Sequence, residues 1–224
     1  CGLTTNCQAT SLTNGLRSSL MNKEEFEKSL LKQFNSVIAK WEGGIVDHPE
    51  DPGGFTRGGI ALNYNSDITK DQLMAMTHDD IANILYKKYG EPYKIHTMSP
   101  GLALAFFDCS INQGPSKAQV SLQHAINEFN ENIRNSTYLK ADAIFGKKSH
   151  VALQSIMAHY GNKKSYRLLL TNFLSNRMNS YAQKYNPKFH KGWSNRLMDI
   201  AFLANMIELE WQAEPGHLDS WPTS

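Results

Sequence analysis

Glu42 stands where an ordinary glutamate would be costly. The apolar spacing of residues 23–41 predicts a helix stopped by Gly43-Gly44, which puts this side chain at the helix C-terminal end. Exposed carbonyls there oppose a carboxylate, and Trp41 beside it would strip away water; both effects raise a carboxyl pKa. A carboxyl that keeps its proton near neutrality can hand it to a leaving oxygen, which is general-acid chemistry. Cleaving a glycosidic bond also asks for a second carboxylate across the scissile bond. Asp51 follows nine residues later, in a glycine-rich stretch able to turn back over the helix end, and Thr56 five residues beyond it could help hold a water. Carboxyls roughly 6.5–9.5 Å apart imply inversion and about 5–5.5 Å retention; a helix end facing a hairpin suits the wider gap.

Duller roles are open to the neighbours of Glu42. Asp47 and Asp51 each stand near a proline and could organise turns by accepting from backbone N–H groups, and for Asp47 that role is preferred. Thr56 could be a plain hairpin residue. Asp47 and Gly54 are nonetheless candidate substrate contacts. Asp108 and Asn112, four apart on a predicted helix, could face a cleft or form a local hydrogen-bonded pair.

These residues need a scaffold. Phe26, Leu30, Phe34, Val37, Ile38 and Trp41 share one face of the first helix, with Glu24, Glu25 and Glu27 at its acid-favouring start. Residues 43–64 read as a loop with a small β-hairpin turned by Pro52-Gly53-Gly54. Thr69 and Thr77 are expected caps of two short helices, the second ending near Tyr89. Pro92 and Pro100 bracket another loop. Helices are expected at 101–112 and 116–130, the latter with Leu122, Ala125, Ile126 and Phe129 on one face. Leu170, Phe173, Leu174, Met178 and Tyr181 mark a further helix ending near Asn186-Pro187. Trp193, Leu197, Ile200, Ala204, Ile207 and Trp211 form an amphipathic seam. The expected class is mainly α with one small β element.

At 224 residues the chain can bury one main core. Its longest notable apolar run, Leu102–Phe107, is far short of the roughly 20 residues that span a bilayer, so no transmembrane segment is expected. The three cysteines give neither a disulfide framework nor a metal spacing, and Cys109 reads as a buried thiol. The eight histidines lack metal spacing, and neither a nucleophile elbow nor a phosphate loop is present. No cofactor and no metal are expected, and no nucleic-acid partner. The net charge of +2 hides an asymmetry: residues 147–198 hold ten Lys/Arg and no Asp or Glu, leaving 13 basic against 21 acidic residues elsewhere. That third either meets an anionic partner or is a solvated helical surface.

The run Glu42-Gly43-Gly44, Asp51-Pro52-Gly53-Gly54-Phe55-Thr56 and Gly59-Ile60 resembles the signature of glycoside hydrolase family 108, bacterial and phage N-acetylmuramidases. The similarity continues through Phe107-Asp108, Asn112-Gln113-Gly114, Leu122-Gln123, Asp142, Gly146, Ser149, Gly192-Trp193 and Arg196, roughly residues 30–200. The resemblance implies a lysozyme-like fold and hydrolysis of the β-1,4 bond between N-acetylmuramic acid and N-acetylglucosamine, with Glu42 in the place of the family's catalytic glutamate. The Glu42–Asp51–Thr56 spacing is also similar to the Glu/Asp/Thr triad of phage-type lysozymes, whose aspartate and threonine assist the attacking water. The chain departs from the pattern at Ile45 (often Tyr), at Arg57-Gly58-Gly59-Ile60 (Lys-Tyr-Gly-Ile), at Gly90 (Trp), and at Ala143 and Lys147 (Gly and Pro).

The expected organisation is an extension at 1–20, a lysozyme-like catalytic region at 21–114, a helical peptidoglycan-binding region at 115–213 packed on it, and a tail at 214–224. Residues 1–20 carry one charge, Arg17, and no apolar signal core. Cys1-Gly2 fits a processed lipoprotein, but Met21-Asn22-Lys23 also fits a natural start and is preferred. The expected partners are peptidoglycan glycan strands, with anionic envelope polymers at the basic third, and a monomer is expected. Action on the cell wall suits either a phage endolysin or an exported bacterial muramidase. Two rivals remain: a lytic transglycosylase, which Asp51 disfavours, and a non-catalytic wall-binding or secretion-assisting protein of the same fold.

Overall fold

The computed structural model describes residues 23–37, 40, 44–47, 54–135, 137–159, 163–183 and 187–213. Among them are eight α-helices and a three-stranded antiparallel sheet of two-residue strands. The helices are α1 (Lys23–Val37), α2 (Lys70–Ala75), α3 (His78–Tyr89), α4 (Pro100–Gln113), α5 (Pro115–Asn132), α6 (Lys147–His159), α7 (Lys163–Gln183) and α8 (Pro187–Ala213). The strands are β1 (Ile45–Val46), β2 (Thr56–Arg57) and β3 (Ile60–Ala61). The mainly α class holds.

Helix α4 is the axis of the molecule. Every residue from Pro100 to Ser110 is buried, so the helix is enclosed all round by α1, α3, α5, α7 and α8. Its apolar run supplies the reason: Phe106 and Phe107 point to opposite neighbours. Phe107 meets Phe34 of α1 at 4.3 Å between ring centroids and Tyr86 of α3 edge-on, while Phe106 lies against Phe173 of α7. On α1, Leu30, Phe34 and Val37 supply the buried stripe that the spacing predicted. Gly101 is required by a close approach: a Cβ there would sit 2.4 Å from the Ala204 carbonyl of α8. The same crossing lets Glu208 accept from the Gly101 N–H at 2.9 Å, an acid at the positive end of α4.

Short-range signals in the sequence are realised. Thr69 and Thr77 each close a reciprocal capping box, with Gln72 and Asp80. Leu197, Ile200, Ala204 and Trp211 of the α8 seam are buried, as are Leu122, Ala125, Ile126 and Phe129 of α5. The stretch between Pro92 and Pro100 is more ordered than a loop. It holds the 3-10 turns Glu91–Tyr93 and Ile95–Thr97, joined at Lys94 with φ +52°, and Pro100 opens α4. One hydrophobic core runs from Leu30 of α1 to Ala204 of α8, so helices before and after Gly114 pack into the same interior. Gly114, at φ +92°, breaks α4 from α5.

The sheet adds a strand to the sequence expectation: β1 and β2 pair antiparallel on either side of the Pro52-Gly53-Gly54 stretch, and β3 pairs with β2. A single hairpin turned at Pro52-Gly53-Gly54 was expected; residues 51–53 lie outside the described region, and the tight turn that the structure shows is Gly58-Gly59. Both of these glycines have positive φ, as a two-residue type I′ hairpin loop demands. They join Arg57 to its partner Ile60, while β1 pairs on the other side with Val46 opposite Thr56. Three strands of two residues carry too little alternation to show in a sequence.

Candidate active site

The sheet is tied to α2 and α3 by a few side chains. Phe55 and Ile60 turn inward to the core. Arg57 reaches back from β2 and donates through Nη1 to the carbonyls of Leu73 (2.6 Å) and Met76 (2.8 Å). These carbonyls belong to the C-terminal end of α2, where a guanidinium both satisfies open acceptors and meets the negative end of the helix dipole. Gly58 packs so tightly against Ile81 of α3 that a Cβ would meet its side chain at 2.9 Å.

Thr56 lies on β2 and is half-buried. Its Oγ1 donates to the Gly54 carbonyl at 3.2 Å, leaving the oxygen lone pairs able to accept from a water. Gly54 has φ +64°, and a Cβ there would press on the Asn63 side chain at 2.9 Å, so glycine serves the backbone at this point. Asp47, at the end of β1, is exposed and ion-paired with Lys70 at 2.7 Å. Lys70 also lies over the Phe55 ring at 4.4 Å, so Asp47 ties the sheet to the start of α2. The structure thus brings Asp47, Gly54 and Thr56 to one small sheet. Glu42 and Asp51 lie outside the described residues. On either side of Glu42 the chain is anchored: Lys40 is ion-paired with Asp199 of α8 at 2.5 Å, and β1 is in register with β2.

Asp108 and Asn112 belong elsewhere. Asp108 is fully buried in α4, where a cleft-facing side chain had been one reading. Its Oδ2 lies 2.5 Å from Arg177 Nη2, and its Oδ1 accepts from Arg196 Nε (3.0 Å) and Nη2 (2.7 Å). Burial alone would raise its pKa; the two guanidiniums outweigh that and hold the carboxyl below the usual range. A carboxylate with no exposed surface and both oxygens facing cations cannot touch a glycan, so Asp108 is a structural anion and not a substrate contact. Asn112 accepts from the Tyr181 hydroxyl, which in turn accepts from Arg177 Nη2. It is therefore a partner of this buried network, and the Asp108–Asn112 pair on one helix face is not a local hydrogen bond. Trp193 stacks on Tyr181 at 5.4 Å. Burial pushes the neighbouring Cys109 thiol up to about 11, which removes it as a nucleophile near neutrality.

The basic third is smaller than its sequence suggests. Arg177 and Arg196 are internal and neutralise Asp108, whereas Lys147, Lys148, Arg167 and Lys191 are exposed. Sequence reasoning missed Arg57 and the Asp108 network. The signal for the latter was present: an acid next to the apolar run Leu102–Phe107 must find cations, and an acid-free stretch containing arginines offers them.

Among the described residues no group of three or more His, Cys, Asp or Glu could hold a metal ion, and no helix is long and apolar enough to cross a membrane. Against known families, residues 35–114 match glycosyl hydrolase 108. The chain carries a glycosyl hydrolase 108 region. That region runs from the last residues of α1 through the sheet to α4 and ends at Gly114, the break before α5. The structure of SagA from Brucella abortus is similar, with a TM-score of 0.61 and 23% sequence identity over 81% of this chain and 97% of that one. At that identity the likeness speaks to the fold, which is lysozyme-like and helical. No curated protein matches the chain. The chain thus combines a glycosyl hydrolase 108 region with a helical fold like that of SagA.

Proposed function

We propose that this glycosyl hydrolase 108 chain is an N-acetylmuramidase that cuts the β-1,4 bond between N-acetylmuramic acid and N-acetylglucosamine. Glu42 is the general acid that protonates the bridging oxygen while oxocarbenium-like charge grows on the sugar. Asp51, steadied by Thr56, activates the water or balances that charge. The observation that carries the reading is the placement of the Glu42, Asp51 and Thr56 motif inside the matched segment 35–114. Support comes from Thr56, whose hydroxyl donates inward to Gly54 and leaves its lone pairs for a water. Asp47 and Gly54, on the same sheet, flank the substrate path. The helices after Gly114 supply wall contact, with anionic envelope polymers met by Arg167 and Lys191, exposed members of the basic third. The chain acts on the cell wall as a monomer, released by a phage or exported by a bacterium.

Mass spectrometry of the muropeptides released from purified walls tests this reading. Hydrolysis by a muramidase leaves N-acetylmuramic acid at the reducing end of each product. Products ending in 1,6-anhydro sugars would make the chain a transglycosylase, and N-acetylglucosamine reducing ends would move the cut to the other bond.

A further inference from the structure

Between α5 and α6, residues 133–135 and 137–146 hold neither helix nor strand, yet side chains of α5 fasten them at several points. Four buried amides on one side of α5 hold them. Asn127 both donates to and accepts from the backbone of Leu139, at 2.8 Å each way. Asn130 donates to Thr137 O, Gln119 accepts from Phe145 N–H, and Gln123 bonds Asp142, Ala143, Ile144 and Ser149. Amides at 119, 123, 127 and 130 recur at helical spacing and act as a partner strand would.

What this fixed segment presents outward has no such partners. Tyr138 is 69% exposed and Val151 of α6 is 58% exposed. Between the segment and α6 lies a cleft of about 610 Å³, lined by Tyr138, Leu139, Lys147, Lys148, Val151 and Ile156. It shares no lining residue with the sheet. Both lysines are exposed and stand in the first turn of α6, where cations oppose the helix dipole and weaken the helix. Helix stability does not account for Lys147 and Lys148.

We propose that this cleft binds the peptide-bearing part of a peptidoglycan strand: a short peptide with free carboxylates and small apolar side chains. Lys147 and Lys148 meet the carboxylates, Leu139, Val151 and Ile156 take the methyl groups, and the face of Tyr138 lies along a peptide plane. A phosphate polymer would use the lysines and leave the apolar walls bare, which is why the peptide is the better fit. The inference deepens the peptidoglycan reading and rests on it for the identity of the ligand. The cleft is a second point of attachment that selects strands still carrying their peptides.

The test is calorimetric titration of the full chain with a soluble disaccharide–tetrapeptide, with peptide-free glycan oligomers, and with inorganic polyphosphate. Wild type is compared with Lys147→Ala/Lys148→Ala and with Tyr138→Ala. The double variant should bind the disaccharide–tetrapeptide about tenfold more weakly at low salt, a loss of about 1.4 kcal/mol. The gap should narrow at high salt, and Tyr138→Ala should weaken binding at both. Binding and cleavage of peptide-free glycan should be unchanged in all variants. Unaltered affinity of the double variant for the disaccharide–tetrapeptide would overturn the proposal, as would a stronger lysine dependence for polyphosphate. Should alanine lower the melting temperature, Lys147→Gln/Lys148→Gln gives the same comparison. A wild type that binds the peptide through these lysines yet cuts no glycan would sustain the cleft and defeat the muramidase reading instead.

Discussion

Around β1–β3 the chain is held at a few points by side chains reaching in from elsewhere, whereas α4 is gripped along eleven consecutive buried residues. In the sheet, the Arg57 bonds to α2 and the Asp47–Lys70 pair stand in for long ladders. Around α4, aromatic contacts, a close glycine crossing and a carboxylate between two arginines fix one arrangement from every side. The proposed chemistry sits with the loosely held part. A site that must admit and release a polymer gains from short strands and exposed pairs, while the enclosed helix supplies stability elsewhere in the fold.

Breaking the core should therefore cost stability, and breaking the sheet should cost activity first. The largest effect is expected from Asp108→Asn, which leaves two buried guanidiniums without their anion and should destabilise the fold by about 3–5 kcal/mol in denaturant titration. The folded fraction of this variant should still cut walls at low temperature. Because the Asp108 carboxyl is held below its unfolded value of about 3.9, its stabilisation is complete above that pH. It should fade as the pH falls through the lower folded value, so acid melting of the wild type should be steeper than that of the variant. Gly101→Ala comes next: its methyl group would drive into the Ala204 carbonyl, for a loss of about 1–3 kcal/mol in the same titration.

Arg57→Ala sharpens the contrast from the other side. It removes two charge-assisted bonds worth about 1.5–3 kcal/mol at most, and partial exposure lowers that. Wall-clearing rate should fall more steeply than melting temperature, because the sheet shifts while the core stays intact. The smallest effect should be a gain. Ala143 sits at φ +62°, a conformation that suits glycine, so Ala143→Gly should raise stability by up to about 1 kcal/mol in thermal melts. A drop would mean that the Gln123 clamp on this residue tolerates no extra backbone freedom.

The departure at Ala143 shows what the sequence could and could not convey. A residue replacing a usual glycine was visible, but its left-handed backbone was not. Thr69 and Thr77 were legible because a capping box is written within four residues. The α8 seam was legible because a period of 3.6 repeats over five turns. Arg57 was not: its acceptors lie 16 and 19 residues away on a helix end whose direction the sequence does not give. Asp108 was misread for the same reason, since its arginines lie on α7 and α8, the second of them 88 residues distant. Glu42 was singled out by a local argument about helix ends, and it lies inside the segment 35–114 that matches glycosyl hydrolase 108.

That argument is best tried on the residue itself. The initial rate at which Glu42→Gln clears a suspension of purified walls should fall at least ~100-fold below wild type, with an unchanged melting transition. A Glu42→Gln protein that clears walls at the wild-type rate would contradict the account.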